Sequence, residues 1–273
     1  MDFGFSLPGR GPLATPDVLI KLARKADDLR YSSLFVTDHV VIPATQTTPY
    51  PYAPTGKFAG DWTNGYLEPL ALMSFLAGET SRVRLGTSVL VIPYRNPVVT
   101  AKMLATLDVL SGGRVILGAG VGWFKEEFEA LHAEPFERRG PTTDEYIALM
   151  RACWTREPVD WQGPIYRMGP VSAMPKPKQK GGIPVWTGGH TDVALRRAGE
   201  LSDGWHPSVC GLPPCFSRKS SGTRWPSSTT GPRRPAAIPR PSPCPSAARS
   251  RSCPSAQSRG AGIARSSGAP RPK

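Results

Sequence analysis

The chain has no Asp or Glu after Asp203. Residues 210–273 hold 12 Lys and Arg, 12 Pro and 13 Ser, with almost no periodic apolar pattern. The first 209 residues keep 22 of the 34 bases against all 21 acids. The formal charge of +13 is therefore a property of the tail and says nothing about partners of the rest. Cysteine is also sparse. Cys153 stands alone in the first 209 residues, and Cys210, Cys215, Cys244 and Cys253 contain no C-x2-C pair. That pattern suggests no disulfide framework and gives zinc little basis. No stretch approaches the roughly 18 apolar residues of a membrane helix. The start, MDFGFSLPGRG, lacks the basic and apolar regions of a signal peptide. The expectation is a cytoplasmic protein without a membrane partner. Metal-binding histidine spacings, a G-x-S-x-G elbow and a P-loop are missing as well, so no metal is expected.

What is present is alternation. DFGFSL (2–7) reads as a strand, and Thr15-Pro16-Asp17 opens a helix with an apolar face over Val18, Leu19, Leu22, Ala23, Ala26 and Leu29. SLFVTDH (33–39) is a short apolar run ending in polar residues, followed by a long Pro-, Tyr- and Thr-rich loop over 40–66. A helix over 67–80, a strand RLGTSVLVI (84–92) and a helix capped by Asn96-Pro97 and stopped at Ser111-Gly112-Gly113 come next. RVILGAG (114–120), a helix over 142–154, a hairpin VDWQGPIYRM (159–168), a strand IPVWTGG (183–189), a helix capped by Thr191 and a short strand DGWHP (203–207) complete the pattern. Continuous Val, Ile and Leu runs alternating with helices predict a parallel sheet with helices outside.

Two α/β architectures compete, an open doubly wound sheet and a (β/α)8 barrel. Polar residues gather where strands end: Thr37-Asp38-His39, Thr87-Ser88, Gly118-Ala119-Gly120, Thr187-Gly188-Gly189-His190 and His206. A barrel builds its site from several strand ends at one face, whereas an open sheet concentrates ligands at one switch point. The barrel is favoured.

Each motif has a plain reading beside the functional one. In LGAGVGWF (117–124), Gly118, Gly120 and Gly122 do not fit G-x-G-x-x-G, because Trp123 takes the third glycine's place. These glycines make room either for a flat ligand or for tight packing. TGGHTD (187–192) puts Gly188 and Gly189 before a helix start whose free N–H groups suit a phosphate; an ordinary turn and N-cap explain it equally well. His39, beside Asp38, is a candidate proton donor or acceptor, or else a hydrogen-bonded loop histidine. FKEEFEALHAEPFERRG (124–140) reads as a solvated helix and loop, with Arg138 and Arg139 either holding an anion or pairing with Glu134 and Glu137.

Together, VTDHVVIP, RLGTSVLVIPYRNPVVTAKMLATLDVLSGGRVILGAGVGWFKEEF, FERRGPTTDEY and PVWTGGHTDVALRRAGELSDGWHP resemble the luciferase-like monooxygenase superfamily. They are closest to its F420-dependent oxidoreductase branch, over residues 1–208. The resemblance implies a (β/α)8 barrel and a cofactor, coenzyme F420 or alternatively FMN, at the C-terminal mouth. It implies hydride transfer between that cofactor and a small organic substrate; with FMN the chemistry would be monooxygenation. His39 corresponds to the family's active-site histidine, with Asp38 beside it. Thr87, Ser88 and Val89 match the third-strand segment under the ring, where the family carries a bulge or a non-prolyl cis peptide. Gly118 and Gly120 belong to the same mouth. Gly188, Gly189, His190 and Ser208 match the phosphate-holding region. Family members are often dimers.

The resemblance stops where the composition changes. Residues 1–209 form the expected barrel domain, and 210–273 a Pro/Ser/Arg-rich tail with too little apolar surface to offset its ordering entropy, hence disordered. Such a composition is what a GC-rich gene yields when read out of frame, here from about residue 209–212. A basic arm for nucleic acid is the alternative, but one Trp and one Phe make a poor stacking platform, so no specific nucleic-acid partner is expected. The expected barrel is thus incomplete, with about six strands and open edges on the first and sixth. A non-catalytic remnant of the family is the competing reading.

Overall fold

The computed structural model describes residues 2–58, 63 and 65–207. The tail over 210–273, the expected domain boundary at 209 and Ser208 lie outside the described residues. In chain order the elements are β1 (Gly4–Ser6), α1 (Pro16–Asp28), β2 (Ser33–Val36), α2 (Pro69–Ala77), β3 (Arg84–Thr87), β4 (Leu90–Val91), α3 (Pro97–Leu110), β5 (Val115–Gly120) and α4 (Lys125–Ala130). They continue with α5 (Arg139–Thr155), β6 (Val159–Gln162), β7 (Arg167–Val171), β8 (Val185–Thr187), α6 (Asp192–Leu201) and β9 (Gly204–Trp205).

The strand order is β1-β2-β3-β5-β8-β9, parallel throughout, with β4 pairing β5 beyond β3. Among the described residues these seven strands, six in line with β4 continuing β3 past the break, form a curled half-barrel with helices outside. Among the described residues, β1 and β9 each pair on one side only. The antiparallel β6–β7 hairpin stands apart from this sheet.

Burial explains the sheet. Leu34, Val36, Leu85, Val115, Leu117 and Val185 are all buried, as strands covered by helices require. Leu104 and Leu107 of α3 and Ile147 and Met150 of α5 join the same core. The Trp154 indole N–H donates to the Ala101 carbonyl at 3.0 Å and ties α5 to α3. The N-terminal face of the sheet is held by polar groups. Asp27 accepts from the amides of Ser81, Arg82 and Val83, and Arg114 donates to the carbonyls of Ala77, Thr80 and Val83. Burial works against the Asp27 charge, yet those amide bonds hold its carboxyl below the usual range.

Three elements differ in part from the sequence expectation. The run over 84–92, read locally as one strand, is broken in two at Ser88–Val89 by a cis peptide bond, as the family resemblance implied. The last helix before the hairpin starts at Arg139 and runs to Thr155. The stretch after Phe124 forms the expected short helix, α4, but it is packed rather than solvated, with Phe124, Glu127 and Phe128 buried. Thr15 starts α1 without a side-chain cap bond; the Pro16 start and acid at Asp17 suffice.

Candidate functional site

The C-terminal ends of β2, β3, β5, β8 and β9 bring the candidate residues to one face of the sheet, but not with the expected partners. The carboxylate that holds His39 is Glu127, not the neighbouring Asp38. Nδ1 of His39 lies 2.7 Å from Glu127 Oε2, and the Glu127 side chain is fully buried. Oε1 of Glu127 accepts from the amides of Val40 at 2.8 Å and Val41 at 3.2 Å, and Oε2 also accepts from the Tyr94 hydroxyl at 3.0 Å. Four bonds satisfy this buried carboxylate. Burial, and then Glu127 itself, push the Tyr94 phenol above its ordinary range, so it remains a donor.

Asp38 does structural work instead. Its buried carboxylate accepts from the Val91 amide at 2.8 Å and from both terminal nitrogens of Arg95, at 2.7 and 2.8 Å. A second Arg95 contact reaches Glu68 at 3.0 Å. Burial opposes the guanidinium charge, but Asp38 outweighs it and Arg95 is held above its usual range. The reason for the exchange is alternation. Along an extended strand end, Asp38 and His39 point to opposite sides, so adjacency in sequence separates their side chains.

The break at Ser88–Val89 shapes the floor. Thr87 is fully buried and donates from Oγ1 to the Gly118 carbonyl at 2.7 Å, so it has no hydroxyl to offer a ligand. Leu90 is buried too, whereas Ser88 and Val89 between them are half-buried and open. Gly118 and Gly120 lie inside β5, not at a turn. A Cβ at Gly118 would sit 1.9 Å from the Thr87 carbonyl oxygen, and one at Gly120 would sit 2.3 Å from Val89 Cγ2. Close packing therefore accounts for both glycines, which act on the mouth by letting β5 press against the broken strand.

On the far side, His206 meets Ser88: Nε2 to Oγ is 2.9 Å, and the imidazole stacks on Phe35 at 4.9 Å between ring centroids. Burial lowers the His206 pKa and keeps the ring neutral. Gly188 and Gly189 precede α6, with Gly189 at φ +101° and the Trp205 indole donating to its carbonyl at 3.1 Å. Thr191 caps α6 by accepting from the Ala194 amide at 3.3 Å. His190 has its ring 6.2 Å from that of Trp205. Arg139, a candidate anion holder, stacks on Phe136 at 3.9 Å, and Glu137 faces Lys125 at 3.5 Å.

The long loop after His39 folds back over the site. His39 is ringed by Phe58 at 5.1 Å, Tyr66 at 4.9 Å, Trp123 at 6.4 Å and Phe124 at 6.5 Å. Glu126 fastens the loop, accepting from the Thr47 and Thr48 amides and hydroxyls. Burial raises its pKa, but the threonine bonds prevail and bring it down to about 2.

Sequence reasoning missed Glu127, Tyr94 and Arg95. A signal for Glu127 was available: Phe124, Glu127, Phe128 and Leu131 share one helical face, so the carboxylate lies on the apolar side.

The chemistry of these residues is of the kind that a flat ring bearing a phosphate-containing tail would need. The open Ser88–Val89 floor, the aromatic wall and the Gly188–Gly189 turn before α6 offer apolar contact and backbone donors in one place.

A sequence model of luciferase-like monooxygenases matches residues 1–219. The uncharacterized protein Rv0940c of Mycobacterium tuberculosis is 36% identical over 186 residues, covering 68% of this chain and 63% of the relative. The F420-dependent glucose-6-phosphate dehydrogenase of Amycolatopsis mediterranei is 33% identical over 193 residues, covering 70% and 53%. Among solved structures, the monooxygenase RslO1 of Streptomyces bottropensis is similar with a TM-score of 0.58 at 25% identity, covering 73% of this chain and 57% of that one. The coenzyme F420 dependent tetrahydromethanopterin reductase of Methanopyrus kandleri has a TM-score of 0.60 at 21% identity, covering 76% and 55%. The matched region spans less than two thirds of the length of each of these relatives.

Proposed function

Because the chain belongs to the luciferase-like monooxygenase family, we propose that it is an oxidoreductase that exchanges a hydride between coenzyme F420 and a small organic substrate, with His39 as its acid/base. The observation that carries this reading is the fixing of His39 by buried Glu127 at the strand ends, beside the open Ser88–Val89 floor. The 33% identity to an F420-dependent dehydrogenase supports the choice of cofactor.

When bound, the cofactor supplies the hydride exchange; the protein has to bind it, orient the substrate and move a proton. Ser88 and Val89 would support the ring, and the turn at Gly188, Gly189 and His190 would meet the phosphate-bearing side. Phe58, Tyr66 and Trp123 limit water around His39. Its Nε2, the nitrogen not engaged by Glu127, is the atom that exchanges a proton with the substrate oxygen. FMN-dependent monooxygenation is the second reading, favoured by the family's description and by the likeness to RslO1.

Equilibrium binding of coenzyme F420 and of FMN to the full chain, followed by cofactor fluorescence, decides between them. Tighter F420 binding is expected. Tighter FMN binding transfers the argument to the monooxygenase, and binding of neither to folded protein makes this chain a non-catalytic relative. In the active protein, His39→Ala should cut turnover roughly 10²–10⁴-fold while changing cofactor affinity less than about threefold. Equal loss of both would remove His39 from acid/base work.

A further inference from the structure

We infer that Glu127 is a positioning residue that sets the tautomer of His39, placing the proton on Nδ1 and leaving Nε2 to exchange protons in the mouth. This rests on the proposed acid/base role of His39 and adds a group that no sequence motif marked.

The argument is one of hydrogen-bond polarity. An ionised carboxylate only accepts, so an imidazole nitrogen 2.7 Å from Glu127 Oε2 must bring the hydrogen. Every other neighbour of that carboxylate is a donor: the Val40 and Val41 amides and the Tyr94 hydroxyl. The two amides cannot reverse their direction. They fix Oε1 and so the plane of the group, leaving Oε2 aimed at Nδ1. Tyr94, kept protonated by burial and by Glu127, donates to the same oxygen. Its ring is held edge-on by Phe128 at 4.8 Å, one residue beyond Glu127, so donor and acceptor are positioned by one helical turn. Glu127 touches neither reacting atom. It acts through His39, as the orienting acid of a proton-transfer pair does.

Glu127→Gln separates this role from mere support. The carboxamide oxygen can still accept from Val40 and Val41, but its amino group then faces Nδ1 and donates. The imidazole must respond by moving its proton to Nε2. Long-range ¹H–¹⁵N spectra of the full chain without cofactor, at about pH 8.5 where an ordinary imidazole is neutral, read the tautomer directly. The His39 signals are identified by their loss in His39→Gln. The expected result is Nδ1–H in the wild type, Nε2–H in Glu127→Gln, and Nδ1–H kept in Tyr94→Phe and Glu127→Asp. With substrate and cofactor, Glu127→Gln should lower kcat on the order of 10²–10⁴-fold with little change in KM, and Glu127→Asp should recover part of it.

A wild-type His39 carrying its proton on Nε2 overturns the inference, as does an unchanged tautomer in Glu127→Gln. If that variant does not fold, Nε2–H in Glu127→Asp overturns it as well. The spectra need no cofactor. A protein that shows the tautomer exchange but binds neither cofactor loses the hydride-transfer reading and keeps this one. A protein that turns over with the tautomer unchanged in Glu127→Gln does the reverse.

Discussion

The two sides of the mouth are built differently. On the β2–β5 side, the buried carboxylates of Asp38 and Glu127 bind half-buried Arg95, Tyr94 and His39 in bonded clusters anchored to α4 and to the backbone of β4. On the β8–β9 side the strands are three and two residues long, and the last one pairs on a single side among the described residues. Gly188, Gly189, His190 and His206 there are half-buried too, but among the described residues no buried carboxylate holds Gly188, Gly189 or His206. The side proposed to handle protons is over-determined by its neighbours. The side proposed to hold the anionic part of the cofactor relies on a glycine turn and a helix start. An edge with few partners is where local opening begins, so ligand binding should be the weaker and more easily lost of the two properties.

The largest test of this contrast is a pair of substitutions. Asp38→Ala leaves the Val91 amide without its acceptor and half-buried Arg95 with only Glu68 as a counter-ion. Breaking a buried ion pair on one side costs about 3–5 kcal/mol. Thr187→Val, on the other side, removes a hydroxyl contact of 2.7 Å to Ser202, which is half-buried and can turn to water. That change should cost about 1 kcal/mol. Urea unfolding midpoints of the two variants measure both; equal losses would mean that the two sides are equally interlocked.

Acidification should sharpen the contrast in a second way. His206 has a lowered pKa because its neutral ring is buried, so protonation favours the unfolded state. Its contribution is complete above the ordinary value of about 6.5 and is lost as pH falls below it. Glu126 behaves as a carboxylate held at about 2. Its contribution is complete above the ordinary 4.5 and is lost only as pH falls from there toward 2. Hydrogen exchange should therefore show the β9 amides losing protection around pH 6 and below, while the Thr47 and Thr48 amides hold until below about pH 4.5. His206→Gln should abolish the first step alone, and Glu126→Gln the second alone.

The same contrast explains what the sequence disclosed. The sheet was readable because its central strands are continuous apolar runs, and α1, α2, α3 and α6 because each has a cap or a proline start; the longest helix, α5, has neither, and its sequence pattern misplaces the start. His39, the open floor at Ser88 and Val89, and the Gly188–Gly189 turn were identified through local motifs and family resemblance. The pairing of charges was not. Asp38 adjoins His39 in the chain and looked like its partner, yet a strand end sends them to opposite sides. Glu127 is 88 residues from His39, and Arg95 is 57 from Asp38. Contacts at that separation are set by how α4 and the start of α3 pack over the sheet, which no local pattern encodes. The break of the 84–92 strand was legible only through the family resemblance, which put a bulge or a non-prolyl cis peptide at Ser88 and Val89. Local periodicity alone did not show it; in the fold, side-chain-free Gly118 and Gly120 press against the segment where the run is interrupted.

The smallest expected difference lies in the helix caps that flank the two sides. Asn96 accepts from the amides of Val98 at 3.0 Å and Val99 at 3.1 Å, closing the first turn of α3 next to Arg95. Thr191 makes one bond to α6, at 3.3 Å. Removing a cap costs about 0.5–2 kcal/mol, more for well-formed bonds than for long ones. Asn96→Ala should fall near the middle of that range and Thr191→Ala at its low end, read as shifts in thermal midpoint. The stability loss alone would not distinguish the sides, but its consequence does. Loosening α3 leaves the Arg95–Asp38 and Glu127–His39 contacts in place, because Val91, Val40 and Val41 hold both carboxylates through backbone amides. Loosening α6 frees the turn that would meet the phosphate. Thr191→Ala should therefore weaken cofactor binding more than Asn96→Ala while destabilising the fold less. The opposite ranking would break the division between a rigid proton-handling side and an adaptable ligand-holding one.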